Sequence, residues 1–221
     1  MAGPRTAKGR ARETAVRLAE LYPGSAKELC ALNHENPFQL LVATILSAQC
    51  TDERVNEVTP AVFARYPEPE ALAGADRSEL EELIKPTGFF RNKTTSLIGM
   101  ANGVVDRFGG SVPQRLEDLV TLPGVGRKTG NVIRSVAFGL PGLPVDTHVG
   151  RLSRRLGLTE QQDPEKVEAE LCSYLPRHEW GGFSLRLILH GRAVCAARTP
   201  RCAVCVLNDF CPSSTTRAAR R

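Results

Sequence analysis

Four cysteines near the C-terminal end, Cys195, Cys202, Cys205 and Cys211, follow the pattern C-x6-C-x2-C-x5-C. Sulfurs this close in sequence can converge on one centre with little help from the rest of a fold. The pattern therefore predicts a metal site rather than two disulfides. Disulfides need an oxidising compartment, and the N-terminal MAGPRTAKGRAR has no apolar signal core. A tetrahedral zinc and an iron–sulfur cubane would use the same four thiolates, so spacing alone leaves both open. Gaps of six and five residues are nevertheless loose for a zinc ribbon. Cys30, Cys50 and Cys172 are scattered and read as buried or incidental free thiols.

A second constellation is Leu122-Pro123-Gly124-Val125-Gly126-Arg127-Lys128-Thr129. Pro123 ends one helix, and Gly124 and Gly126 free the turn of Cβ atoms so that backbone can approach a ligand. The next helix begins near Arg127, where unpaired N–H groups and the helix dipole favour a phosphate. With Arg127 and Lys128 attached, the turn predicts a grip on nucleic-acid backbone; the spacing of a P-loop is missing. Lys128 is also a candidate nucleophile. An amine attacks only when neutral, a form that burial, the helix terminus and Arg127 would each favour. Asp146, in Val145-Asp146-Thr147-His148-Val149, is the candidate proton acceptor. It also reads as the N-cap of the helix that follows, and a capping aspartate is held in place as a catalytic carboxylate must be. His148 reads as structural, and the spacing of His34, His178 and His190 suggests no site.

The elements that must carry these residues read as helical almost throughout. Helices are predicted over 10–22, from Asn36-Pro37 through the apolar run FQLLVATILSAQ, from Thr51 with a break or kink near Pro60, and from Asp76 to Pro86. Others follow over 90–107, 114–120 and 127–138 and, after the break at Leu140–Pro144, over 146–157, 164–175 and 182–194. No period-two strand pattern, internal repeat or run of 18 apolar residues occurs, so no membrane span is expected.

Charge is uneven. Residues 1–17 and 186–221 hold 12 Lys/Arg against 2 Asp/Glu, whereas the middle holds 17 against 22. If the two ends meet, a basic surface suited to a polyanion results.

Taken together, L-P-G-V-G-R-K-T, V-D-T-H-V and the four cysteines resemble endonuclease III, a family of helix-hairpin-helix DNA glycosylases and abasic-site lyases. L-S-A-Q-C-T-D at 46–52 and L-I-L-H-G-R at 187–192 match as well, and the resemblance spans about residues 15–212. It implies an all-α protein of two helical domains with a DNA cleft between them. One is a six-helix barrel over 30–140 containing the hairpin; the other combines 1–29 with 141–221. It implies a [4Fe-4S] cluster on the four cysteines, a monomer, damaged double-stranded DNA as partner, and work in the cytoplasm at the nucleoid. Lys128 would attack C1′ of an extruded oxidised-pyrimidine nucleotide, with Asp146 taking a proton or stabilising charge. Gln49 would fill the vacated gap. Phe89 stands where the family commonly has a wedging leucine, and Phe90 reads as core. The hairpin residues Leu122, Gly124, Val125, Gly126 and Arg127, together with Arg192 and Arg198, would contact DNA, with Arg201 in the same basic loop. An adenine-specific mismatch glycosylase would lack Lys128 and carry a further C-terminal domain. A non-catalytic DNA-binding module would not need Lys128 with Asp146, and an unrelated zinc protein would make the hairpin match an accident.

Overall fold

The computed structural model describes residues 4–216, and these contain helices and turns but no strand. The parts of the basic ends at 1–3 and 217–221 lie outside the described residues. The chain divides into two compact units, one made of 1–29 with 139–221 and the other of 30–138.

The first unit begins with α1 (Ala7–Leu21), capped by the Thr6 hydroxyl, which accepts from Gly9 N–H, and with the short α2 (Ala26–Leu29). Residues 30–138 contribute α3 (Pro37–Leu46), α4 (Asp52–Arg65), α5 (Pro69–Ala73), α6 (Arg77–Ile84), α7 (Phe90–Phe108), α8 (Leu116–Leu119) and α9 (Arg127–Val132). The chain then returns to the first unit with α10 (Thr147–Arg155), α11 (Pro164–Tyr174) and α12 (Trp180–Ala193).

In the 30–138 unit, α3 is the central rod. Asn36 caps it, Pro37 supplies its first turn, and every residue from Leu40 to Leu46 is buried. Thr51 and Asp76 cap α4 and α6 by accepting from Arg54 and Glu79 N–H. In the other unit Ala11, Leu18, Val149, Leu152, Leu171, Phe183 and Leu187 belong to one core. Arg10 ties α1 to the end of α10 by donating to the carbonyls of Leu156 and Gly157.

Three sequence expectations change. α4 runs through Pro60, which is exposed, without the break that is one of the two expectations there. Pro60 lies on the exposed face, while Val55, Val58, Thr59 and Val62 keep the opposite face buried. The helix expected over 127–138 is α-helical only to Val132 and continues as a wider π turn over Ile133–Ala137. Phe90 is only half-buried and lies beside Arg91, rather than in the core. The short helices α2 and α5 were not expected, because four or five residues are too few to display a period.

Candidate active site and cysteine centre

The hairpin joins α8 to α9. Its turn beds onto one face of α7, where Ser96, Gly99 and Gly103 recur at helical spacing. A Cβ on Gly99 would meet Pro123 at 3.1 Å, and one on Gly103 would meet Leu122 at 2.8 Å. Gly124 has φ 77° and would strike Ser96 at 2.7 Å, so it needs glycine for both backbone and space. Gly130 lets α9 approach Leu116 of α8, which a Cβ would reach at 2.6 Å. Leu122 and Val125 are 2% and 5% exposed, so they anchor the turn and offer a ligand no side chain. Gly126 differs from the other turn glycine: nothing lies within 4 Å of a Cβ placed there. Gly126, Arg127 and Lys128 are all exposed. Lys128 stands in the first turn of α9. It is exposed rather than buried as anticipated above.

Asp146 belongs to the other unit. It is half-buried and caps α10, its Oδ1 accepting from Val149 N–H at 2.8 Å. Buried Leu143 and Val145 hold the segment before it, and Ser184 on α12 donates to the Pro144 carbonyl. This carboxylate is therefore fixed at both ends of its short loop. His148 lies near Arg151, its Nδ1 3.1 Å from a guanidinium nitrogen.

None of the four C-terminal cysteines is in a disulfide, and all line one cavity, with Leu152, Leu156 and Leu207 among its apolar walls. Among the described residues, no three histidine, cysteine or acidic side chains form a group that could hold a single metal ion. The thiols are thus arranged around a space rather than gathered on a point. Side-chain nitrogens from α10 and α12 reach two of the sulfurs. Arg155 Nη1 lies 3.3 Å from Cys195 Sγ and also donates to the Ala196 carbonyl. His190 Nε2 lies 3.3 Å from Cys205 Sγ, while its Nδ1 lies 3.3 Å from the Tyr22 hydroxyl. His190 is 1% exposed, and burial pushes its imidazole down to about 4, leaving it neutral. Burial pushes the Cys205 thiol up to about 11 and raises Cys211, whereas hydrogen bonds from Thr215 lower Cys202. Thiols buried this way become thiolates only if positive charge sits among them, which is what a metal centre supplies.

Sequence reasoning missed His190 and Arg155. Both touch sulfurs remote in the chain, and only the packing of α10 and α12 brings them there. It also overstated the free basic surface. Arg17 pairs with Asp209 and Glu13, Arg186 donates to the carbonyls of Tyr22 and Gly24, and Arg201 donates to Ala193. Arg192, Arg198, Gln49 and Phe89 are exposed, Phe89 at 63%.

Comparison with known proteins agrees with this architecture. Residues 42–177 match the family model of the HhH-GPD superfamily base excision DNA repair protein. Endonuclease III of Synechocystis is 57% identical over 208 residues, 94% of each chain. That of Bacillus subtilis is 43% identical over 88% of each. A solved structure of a non-covalent endonuclease III–DNA complex superposes with a TM-score of 0.88 at 40% identity, covering 95% of this chain and 97% of that one. With its hairpin bedded on α7 and a fold shared along nearly its whole length, the chain belongs to the endonuclease III family of HhH-GPD base excision DNA repair proteins.

Proposed function

We propose that this DNA repair enzyme, a glycosylase and abasic-site lyase, excises oxidised pyrimidines of the thymine-glycol type from double-stranded DNA and then cuts the abasic strand. The observation that carries the reading is the exposed Lys128 amine, two residues beyond the open Gly126 in a glycine turn that the family match includes. The neutral amine of Lys128 attacks C1′ of the extruded nucleotide. The C1′–N bond breaks, and the base leaves with its electron pair and takes a proton. Asp146 accepts the proton shed by the Lys128 nitrogen and stabilises positive charge developing at C1′. Ring opening yields a Schiff base. Loss of the C2′ proton then expels the 3′ phosphate, and water releases Lys128.

Gln49 fills the gap left in the duplex and Phe89 enters the facing stack; its exposure supports that role over a core one. The turn at Gly124 and Gly126, with Arg127, meets phosphate through backbone and a charged side chain. Arg192 and Arg198 extend that contact from the cysteine loop. The residues fit a [4Fe-4S] cluster held by Cys195, Cys202, Cys205 and Cys211. A cubane takes one thiolate per iron, matching thiols spread around a cavity better than a single ion does. When bound, the cluster supplies positive charge that keeps the thiolates ionised and staples the loop. The enzyme acts as a monomer on DNA of the nucleoid; among the described residues no helix is long and apolar enough to cross a membrane.

The test is borohydride reduction during reaction with a duplex holding one thymine glycol, beside the same duplex with an abasic site. A covalent protein–DNA band from the wild type and none from Lys128→Ala is expected. A band of equal strength from Lys128→Ala would sink the assigned nucleophile. No band from the DNA-bound wild type on either duplex would sink the lyase reading.

A further inference from the structure

Among the described residues, two that are not glycine occupy the left-handed region: Gln49 at φ 53° and Phe89 at φ 48°. They are also the two residues assigned above to the duplex gap and stack. Such a conformation is unfavourable for an ordinary residue and persists only where surrounding structure enforces it. Gln49 lies in the turn that leaves α3, where Cys50 N–H donates to the Ser47 carbonyl at 3.1 Å. Phe89 sits at the N-terminal boundary of α7, and its carbonyl accepts from the N–H groups of Asn92 and Lys93, both at 3.1 Å.

The side chain of Lys93 joins the two turns. It is 5% exposed, and its Nζ donates to the Leu46 carbonyl and to the Thr87 carbonyl, both at 2.8 Å. Leu46 ends α3 three residues before Gln49; Thr87 lies in a 3-10 turn two residues before Phe89. Thr87 is itself buried, with its hydroxyl donating to the Ile84 carbonyl. A buried ammonium is costly, and burial holds its pKa below the ordinary lysine value. An apolar side chain would fill the same volume without that cost, but it would not hold two backbone carbonyls at a fixed separation.

We propose that Lys93 is a positioning residue that clamps the Gln49 turn to the Phe89 turn, so that both side chains enter the duplex in one register. The proposal rests on the wedge roles given to Gln49 and Phe89 under Proposed function. Lys93 itself touches no substrate.

The test compares single-turnover base release from a thymine-glycol duplex by four proteins: wild type, Lys93→Met, Gln49→Ala/Phe89→Ala, and the triple variant. Methionine keeps the stem and removes the donors. Misplacing a positioned group by about 1 Å can cost on the order of 100-fold. Lys93→Met is therefore expected to lower base release by about 10- to 100-fold, with DNA-free melting shifted equally in both backgrounds. In the triple variant the substitution is expected to cost nothing further in base release, because the wedges it would misplace are gone. An equal loss in both backgrounds, or none in either, would overturn the proposal. Base release undiminished in Gln49→Ala/Phe89→Ala would overturn the wedge reading on which it rests, whereas failure of wild-type trapping would fault the lyase reading alone. Should Lys93→Met fail to fold, Lys93→Gln, which keeps one amide donor, takes its place in the same comparison.

Discussion

The hairpin and the cysteine loop carry the two motifs of this chain, and they are held by different physics. The hairpin is positioned by apolar packing and close backbone approach. Leu122 and Val125 are buried, and Gly99, Gly103, Gly124 and Gly130 each stand where a Cβ would press on a neighbour. The loop after α12 buries Leu207 and Phe210, but much of its backbone is held by polar reach. Arg155 spans the carbonyls of Ala196 and Ala197, Arg201 returns to Ala193, and His190 meets Cys205. A short segment without regular secondary structure offsets its ordering entropy only partly by packing. Directional bonds hold the rest, and the cluster proposed above would add a central staple. A packed turn, by contrast, leaves its exposed residues available for chemistry.

The sharpest way to separate the two regions is to remove the chemistry of one while leaving its packing intact. Lys128→Ala should lower strand cleavage at an abasic site by at least about 10³-fold. Its melting temperature should stay at the wild-type value, because Lys128 is exposed. A large loss of stability would mean that the lysine belongs to the packing. Asp146→Asn keeps an N-cap of equal quality and removes the negative charge. Base release should fall by roughly 10²–10⁴-fold with little change in stability, whereas Asp146→Ala should also lose about 1 kcal/mol on denaturant titration. Equal stability for the two variants would show that the cap contributes little.

Two smaller effects test how each region is held. Gly124→Ala must meet Ser96 from an unfavourable φ and should destabilise the protein by about 1–3 kcal/mol. Gly126→Ala, in open space, should leave stability within about 0.5 kcal/mol while weakening DNA binding. Similar unfolding midpoints would break the distinction between packed and open glycines. Replacing Cys205 with serine should raise amide exchange in residues 195–214 and leave 37–46 protected; protection lost across both would mean that the loop staple supports the entire fold.

The smallest effect concerns acid. Hydrogen bonds from Arg65 and Tyr66 hold the Glu79 carboxyl below its ordinary value of 4.5. A depressed folded value adds stability above pH 4.5 that is lost as pH falls through the folded value. The melting temperatures of wild type and Glu79→Gln should therefore differ modestly at pH 7 and converge in acid. A gap that widens in acid would reverse the sign.

Sequence by itself determined whatever depends on local spacing and residue type. Asn36-Pro37, Thr51, Asp76 and Asp146 announce helix starts through side chains that can reach only their own first turns. The four cysteines declare a common centre because few residues separate them, and Gly124 declares a tight turn. Pro60 does not break its helix, because whether a proline ends a helix depends on which face it occupies. Tertiary structure alone decided which basic side chains are committed to carbonyls and that Lys128 stands in the open. It also set Arg155 and His190 beside sulfurs and sent Lys93 to the ends of two turns 41 residues apart, Leu46 and Thr87. Such contacts join residues distant in sequence and leave no periodicity or spacing behind. They exist only once burial has brought their helices together and favoured acceptors for the donors it encloses.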